Sequence, residues 1–303
     1  MSDEKTAHQV PGTSEVPGTW WASVLTLAGW RVRLECRQPE LAQLVADRYA
    51  AFHSYDRAPA DFTVSLALDD DATDARVETP AMHWQIQGDA WLLTGDGLAG
   101  YAHLTRGDAA IAFHGIDITS DLEHVLRNLV AIFADHRGGL LLHAAGLLVE
   151  GQAYLFMGPS GSGKSTVTQL SPHALPLNDD LVLLRQHEGR WMAFGTPFWN
   201  IAAEDRSGET ACGPAAGIYR LVQDSKNSVQ PLSPAAAAAE LVASCPVVNA
   251  MAERLPALLA RCQQIATAAP VKRLHFQKDA SFWDVITYRS YAVGSSSRSL
   301  RGA

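Results

Sequence analysis

Residues 158–166 read Gly-Pro-Ser-Gly-Ser-Gly-Lys-Ser-Thr, that is, a glycine, four residues and then Gly-Lys-Ser. That spacing suits the grip of a polyphosphate. Gly158, Gly161 and Gly163 allow backbone angles closed to other residues, so successive N–H groups can converge on phosphate oxygens. Lys164 reaches the β- and γ-phosphates of a nucleotide, and the Ser165 hydroxyl is placed for Mg²⁺. Pro159, Ser160, Ser162 and Thr166 complete the stretch expected to bind the nucleotide. The pattern serves a kinase, an ATPase or a GTPase equally.

A second group of residues could supply the rest of a transfer site. Asn178-Asp179-Asp180 precedes the apolar run Leu181–Leu184. A carboxylate beside a terminal phosphate can hold Mg²⁺ or accept a proton from an attacking hydroxyl. Two neighbours in an extended segment can divide those jobs, because their side chains point opposite ways. The same residues also read as an ordinary acidic loop before a strand. His143, inside the apolar run LLLHAAGLLV, is open to two readings, a satisfied core histidine or a site residue. Arg185, Arg190, Arg206 and Arg220 are candidates for phosphate contact, and the sequence does not choose among them. Phe198-Trp199 reads as core packing, with substrate contact as the other reading, and His173, His187 and His275 have no ligand-like spacing.

Positioning these groups calls for a strand into the loop and a helix out of it. Leu140–Val149, a Glu150–Gly151 turn and Ala153–Met157 read as a hairpin whose second strand feeds the loop. A helix of about two turns follows, ended by Ser171–Pro172. Leu181–Arg185 and Arg190–Phe194 form a second hairpin-like pair around His187–Gly189. The C-terminal third reads as mostly helical. Ser233 and Pro234 supply an N-cap and first-turn proline. Leu255, Leu258, Leu259 and Cys262 mark another helical face, Val271–Phe276 a late strand, and Phe282–Ile286 a packing segment. Upstream, Trp30–Cys36 and Phe62–Leu68 alternate as strands, and Leu41–Phe52 and Leu122–Ala134 carry helical spacing. Three strand-like runs between Met82 and His114 read as an antiparallel meander, and Trp20-Trp21 as a packing anchor. The expected layout is a tail over 1–18, a small α+β domain over 19–137, a P-loop domain over 138–293 and a second tail over 294–303.

Composition narrows the function classes. The chain has 303 residues, 47% of them hydrophobic, enough for folded domains. Its net charge of −8 argues against nucleic acid as a partner. Cys36, Cys212, Cys245 and Cys262 show neither zinc-finger nor redox spacing and are expected to be reduced, in a cytoplasmic protein. No run reaches the roughly 18 apolar residues of a membrane span, and the N-terminus lacks a secretory signal.

Taken together, these elements resemble the HPr kinase/phosphorylase family and its relatives over roughly residues 138–200. His143-Ala144-Ala145-Gly146 matches that family's H-x-x-G on the strand before the loop. Gly158–Thr166 matches its Walker A segment, and Asn178-Asp179-Asp180 stands where the family has A-D-D. An antiparallel strand feeding a mid-chain loop resembles the phosphoenolpyruvate-carboxykinase architecture which that family shares. Gly195–Trp199, and Val271–Leu274 through Phe282-Trp283, resemble HPr-kinase-like proteins of bacterial biosynthetic clusters, some of which phosphorylate ribosomal peptides such as lasso peptides.

The resemblance implies an α/β fold with a mixed-sheet P-loop domain and a smaller N-terminal α+β domain. It implies ATP and Mg²⁺, with the γ-phosphoryl group passed to a serine or other hydroxyl of a peptide, protein or small molecule. Asp179 would be the catalytic base, His143 would act near the phosphates through Asp179, and Lys164 would complete the catalytic set. Asp180 would join Ser165 at the metal, and the chain would assemble as a homo-oligomer. The family's Glu-Ile-Arg-Gly-Leu-Gly run is replaced here by Gly195-Thr196-Pro197-Phe198-Trp199-Asn200. A phosphorylase activity is therefore not implied, and Glu204 or Asp205 are the nearest carboxylates for a second metal ligand. The other function class is a nucleotide-binding regulatory module without transfer. A transporter-type ATPase would need a Leu-Ser-Gly-Gly-Gln-like signature, which is absent.

Overall fold

The computed structural model describes residues 14–16, 20–68, 82–95, 97–114, 118–199 and 210–286. Asn200, Glu204, Asp205, Arg206 and the expected C-terminal tail lie outside the described residues. The chain is mixed α/β with two sheets and divides into two compact units, Met1–Phe133 and Ala134–Ala303.

Among the described residues the first unit holds eight strands: β1 (Ser14–Val16), β2 (Trp20–Leu27), β3 (Trp30–Cys36), β4 (Phe62–Leu68), β5 (Met82–Gln87), β6 (Ala90–Gly95), β7 (Leu98–His103) and β8 (Asp108–Phe113). Their order is β1-β2-β3-β4-β8-β7-β6-β5. The pairs β3–β4 and β4–β8 are parallel; β5 to β8 form an antiparallel meander. That meander has four strands where three runs were expected. Trp20-Trp21 opens a full strand rather than acting only as an anchor, and β1 lies inside the stretch expected to be a tail. Helix α1 (Pro39–Arg48) buries Leu41, Ala42, Val45 and Ala46, the i, i+1, i+4, i+5 face of an amphipathic helix. Helix α2 (Ile118–His136) buries Leu122, Val125, Leu126 and Leu129, and its Phe133 ring stacks on Phe62 at 4.8 Å between centroids.

The second unit is built on β9 (Leu140–Val149) and β10 (Gln152–Met157), joined by the expected hairpin. Glu150 and Gly151 both have positive φ, 51° and 74°, the pair of angles that a tight hairpin turn matching strand twist requires. β11 (Leu175–Asn178) and β12 (Leu181–His187) pair with the other edge of β9, and β13 (Arg190–Phe194) returns along β12. β14 (Cys212–Gln223) changes neighbours along its length. Residues 212–214 pair antiparallel with β13, whereas its later residues lie parallel between β10 and β16 (Val271–Phe276). β15 (Ser228–Pro231) closes that edge.

Both faces of this sheet are covered. On one, α4 (Pro234–Ala243) and α5 (Leu255–Ala268) bring Ala237, Leu241, Leu258, Cys262 and Ile265 onto Leu142, Leu155, Val182 and Ile218. On the other, Val167 of α3 (Lys164–Gln169) and Phe282, Trp283 and Ile286 cover Leu147, Phe156, Tyr219 and Phe276. Burial on both sides explains why β9 and β10 read as unbroken apolar runs. Ser233 caps α4, its hydroxyl accepting the N–H of Ala236 at 3.3 Å. The expectation that the C-terminal third is mostly helical is corrected by β14 and β15. β14 reads CGPAAGIYRLVQ, small residues first and no alternation, because it passes between partners and is covered on both faces. All four cysteines are free thiols; Cys212 is exposed and the other three are buried. Among the described residues, no helix is long and apolar enough to cross a membrane.

Candidate functional site

β10 ends at Met157, fully buried, and delivers the chain into the glycine-rich loop. Gly161 and Gly163 have φ of 76° and 107°, angles that an L side chain resists. A Cβ on Gly163 would stand 2.5 Å from Cζ of Phe276, and one on Gly158 would stand 2.5 Å from the Ser162 hydroxyl and 2.9 Å from Nη1 of Arg220. The glycines therefore let the loop close tightly against β16 and β14. Gly163 caps α3, so Lys164 and Ser165 lie in its first turn. The Lys164 ammonium donates to the Gly158 carbonyl at 2.9 Å and is buried. Burial pushes its pKa down, against the opposing pull of Asp180 and Asp179, and Arg220 adds to the depression.

The two aspartates owe their placement to Asn178. Its Oδ1 accepts the N–H groups of Asp180 and Leu181, both at 2.7 Å. Its Nδ2 donates to the Thr196 carbonyl at 3.0 Å and hydroxyl at 3.2 Å, and that hydroxyl donates onward to the Leu181 carbonyl at 2.7 Å. Asn178 is fully buried, so the network replaces water entirely. This local side-chain turn bends the chain, and both carboxylates line the same cleft. The expectation that they would face opposite ways fails because the segment is not extended there.

His143 lines the cleft rather than the core. It sits on β9 with its side chain 42% exposed, and its Nε2 lies 2.6 Å from Oδ1 of Asp180. The carboxylate in this contact is that of Asp180, beside the Asp179 that the resemblance implied. His143 pairs with Leu181 on β12; strand alternation alone would turn Asp179 to its face, and it is the Asn178 turn, which takes 179–180 out of the extended conformation, that brings Asp180 there instead.

The cleft holds about 380 Å³, within the range of small-molecule sites. Ser160, Gly161, Gly163, Lys164, Ser165 and Thr166 form one wall, with His143, Asp179 and Asp180 also lining it. Gly158, Pro159 and Ser162 do not line it; they shape the loop from behind. Two lining residues were not foreseen, Gln223 at the end of β14 and Lys278 after β16. Of the four arginines considered, Arg220 stands behind Gly158, where Nε is engaged by Glu240 at 2.9 Å and Nη1 by the Leu221 carbonyl at 2.6 Å. Arg185 and Arg190 do not line the cleft, and Phe198 and Trp199 are buried in the core.

Among the described residues no three metal-ligating side chains converge. Mg²⁺ does not require that: one or two carboxylates, a hydroxyl, water and nucleotide phosphates suffice. Asp179, Asp180 and Ser165 around one cleft fit such an ion. When bound, it would neutralise phosphate charge.

The family model described as SynChlorMet cassette protein ScmC matches residues 117–288, more than half of the chain. No curated protein matches it. Among solved structures, the chain is similar to the Hpr(Ser) kinase/phosphatase from Coxiella burnetii, at 11% identity and a TM-score of 0.32, over 52% of this chain and 98% of that one.

Proposed function

The chain belongs to the family of the SynChlorMet cassette protein ScmC, and from that premise we propose that it is an ATP-dependent kinase acting on a hydroxyl acceptor. The observation that carries the reading is the convergence, in one cleft, of a glycine-rich loop, its lysine and two aspartates fixed by a buried asparagine. One carboxylate would serve Mg²⁺ in any nucleotide site; a second one lining the same cleft supplies the proton acceptor that transfer to a hydroxyl uses. The fold proposed for this unit is the HPr-kinase-like P-loop type, supported by the hairpin that feeds the loop and by the motif order in the sequence.

The roles follow from position. The loop backbone and Lys164 hold the phosphates. Asp179, the least exposed residue lining the cleft at 1%, accepts the proton of the attacking hydroxyl. Asp180 and Ser165 are the residues that would hold Mg²⁺, and His143 fixes Asp180 through its Nε2 contact. Phosphoryl transfer relies on positioning and charge stabilisation, so removing the base lowers rate more than affinity.

The family description names a cassette, so products of neighbouring genes are the first acceptors to try. Incubating the protein with ATP, Mg²⁺ and each such product should add the mass of one phosphate to one of them. Asp179→Asn should slow that transfer by roughly 10²–10⁴ while nucleotide still binds. Transfer at the wild-type rate would remove Asp179 as the base. Nucleotide binding with no acceptor modified would favour a regulatory module instead.

A further inference from the structure

β10, β14 and β16 run parallel, so their carboxyl ends open on one edge of the sheet, where ligands of α/β sheets sit. The glycine-rich loop leaves the first of these ends. Gln223 terminates the second, and residues 277–281, carrying Lys278, follow the third. The latter two ends are laced together. Oδ1 of Asn227 accepts the Gln277 N–H at 2.9 Å, and its Nδ2 donates to the Ser281 hydroxyl at 2.7 Å. Asp279 accepts the Ser281 N–H at 2.9 Å and its hydroxyl at 2.5 Å, and also takes the Gln277 side chain. The Asp224 N–H donates to the Phe276 carbonyl at 3.0 Å.

This braced turn is joined to the phosphate loop at two points. The Gln223 amide donates to the Gly161 carbonyl at 2.8 Å, and the Phe276 ring fills the space beside Gly163. Lys278 is exposed and lines the same cleft as Lys164, Asp179 and Asp180. Among the described residues its ammonium takes no hydrogen bond or ion pair. An uncommitted lysine on a rigid turn over a polyphosphate site has an evident use. The two aspartates repel an incoming polyanion, and Lys164 alone offsets only one of them.

We infer that Lys278 is a second phosphate-binding cation, one that touches the terminal phosphate of a bound nucleoside triphosphate. The inference rests on the nucleotide reading above. The terminal phosphate is the one singled out because Lys278 shares the cleft with the carboxylates beside which that phosphate must react. Gln223 and the Asn227–Asp279 bracing are positioning groups for it.

The test is calorimetric titration of the full chain with ADP and with a non-hydrolysable ATP analogue, both with Mg²⁺, for wild type, Lys278→Ala and Lys278→Arg. Loss of one charge-assisted contact should weaken the analogue about tenfold in Lys278→Ala and leave ADP within about twofold, with Lys278→Arg recovering most of the loss. Equal weakening of both nucleotides, or weakening of neither, overturns the inference while leaving the nucleotide site standing. Wild type that binds neither nucleotide overturns both. An unchanged thermal midpoint for Lys278→Ala, expected at an exposed position, shows that the comparison is between folded proteins.

Discussion

Replacing Gly163 with alanine sets two costs against the glycine-rich loop at once. Its φ is 107°, outside the regions that an L residue occupies at ease, a strain of roughly 1–3 kcal/mol. The new Cβ would also lie 2.5 Å from Cζ of Phe276, a side chain with no exposed surface and no room to move aside; overpacking of that kind adds roughly 1–3 kcal/mol. Together they come to roughly 2–6 kcal/mol, or a fall of roughly 4–24 °C in the unfolding midpoint for a unit of this size. Gly161→Ala is the internal control. Its φ is 76°, but a Cβ there meets nothing within 4 Å, so only strain of roughly 1–2 kcal/mol applies. Urea unfolding of both variants measures the difference directly. Adding Phe276→Leu removes the clashing ring carbon, so in the Gly163→Ala background its cost should be smaller than alone, by about 1 kcal/mol or more. The reasoning is refuted if Gly163→Ala is no more destabilising than Gly161→Ala, or if the two changes simply add.

Asn178→Ala leaves the N–H groups of Asp180 and Leu181 buried without their acceptor, so urea unfolding should show a loss of roughly 3 kcal/mol; a loss under about 1 kcal/mol would mean that water enters the turn. His143→Ala removes its contact with Asp180 and should cut transfer roughly 10- to 100-fold while metal-free nucleotide binding, followed by calorimetry, holds. His143→Gln keeps a donor near the Nε2 position and should recover part of the rate; equal rates for Ala and Gln would remove the contact from the mechanism. Asp224 is held below the ordinary carboxylate value of 3.8 by the Ser225 N–H and then by His275, and Asp279 by the Ser281 hydroxyl. Depressed carboxylates stabilise the fold above their unfolded pKa and lose that contribution as pH falls through the folded value. Thermal midpoints should therefore ignore these groups between pH 7 and 5 and decline below pH 3.8. Asp279→Asn should flatten part of that decline, and a curve identical to wild type would contradict the assignment.

The half of the site that is local in sequence was readable from it. The loop at 158–166 declares itself because its backbone angles admit only glycine at Gly161 and Gly163, and because Lys164 and Ser165 follow in the first helical turn. The hairpin before it was readable because Glu150-Gly151 interrupts two apolar runs. What stayed hidden depends on partners distant in the chain. Asn178 was seen only as the residue before two acids, because its role needs Thr196, eighteen positions on. The contact of His143 with Asp180 was not legible because alternation from the Leu181 pairing points to Asp179, and only the Asn178 turn carries Asp180 to the histidine. Lys278 and Gln223 gave no signal, since their strands meet the loop only through the parallel run of β10, β14 and β16. β14 itself escaped notice because it changes neighbours midway and so lacks the alternation of a half-buried strand.

The most direct measurement is titration of the purified chain with ATP and Mg²⁺ by isothermal calorimetry, wild type beside Lys164→Ala. The account predicts uptake of one nucleotide per chain, abolished or strongly weakened when the Lys164 ammonium, which donates to the Gly158 carbonyl, is removed. Absence of binding by the wild type, or binding that survives Lys164→Ala unchanged, would contradict it.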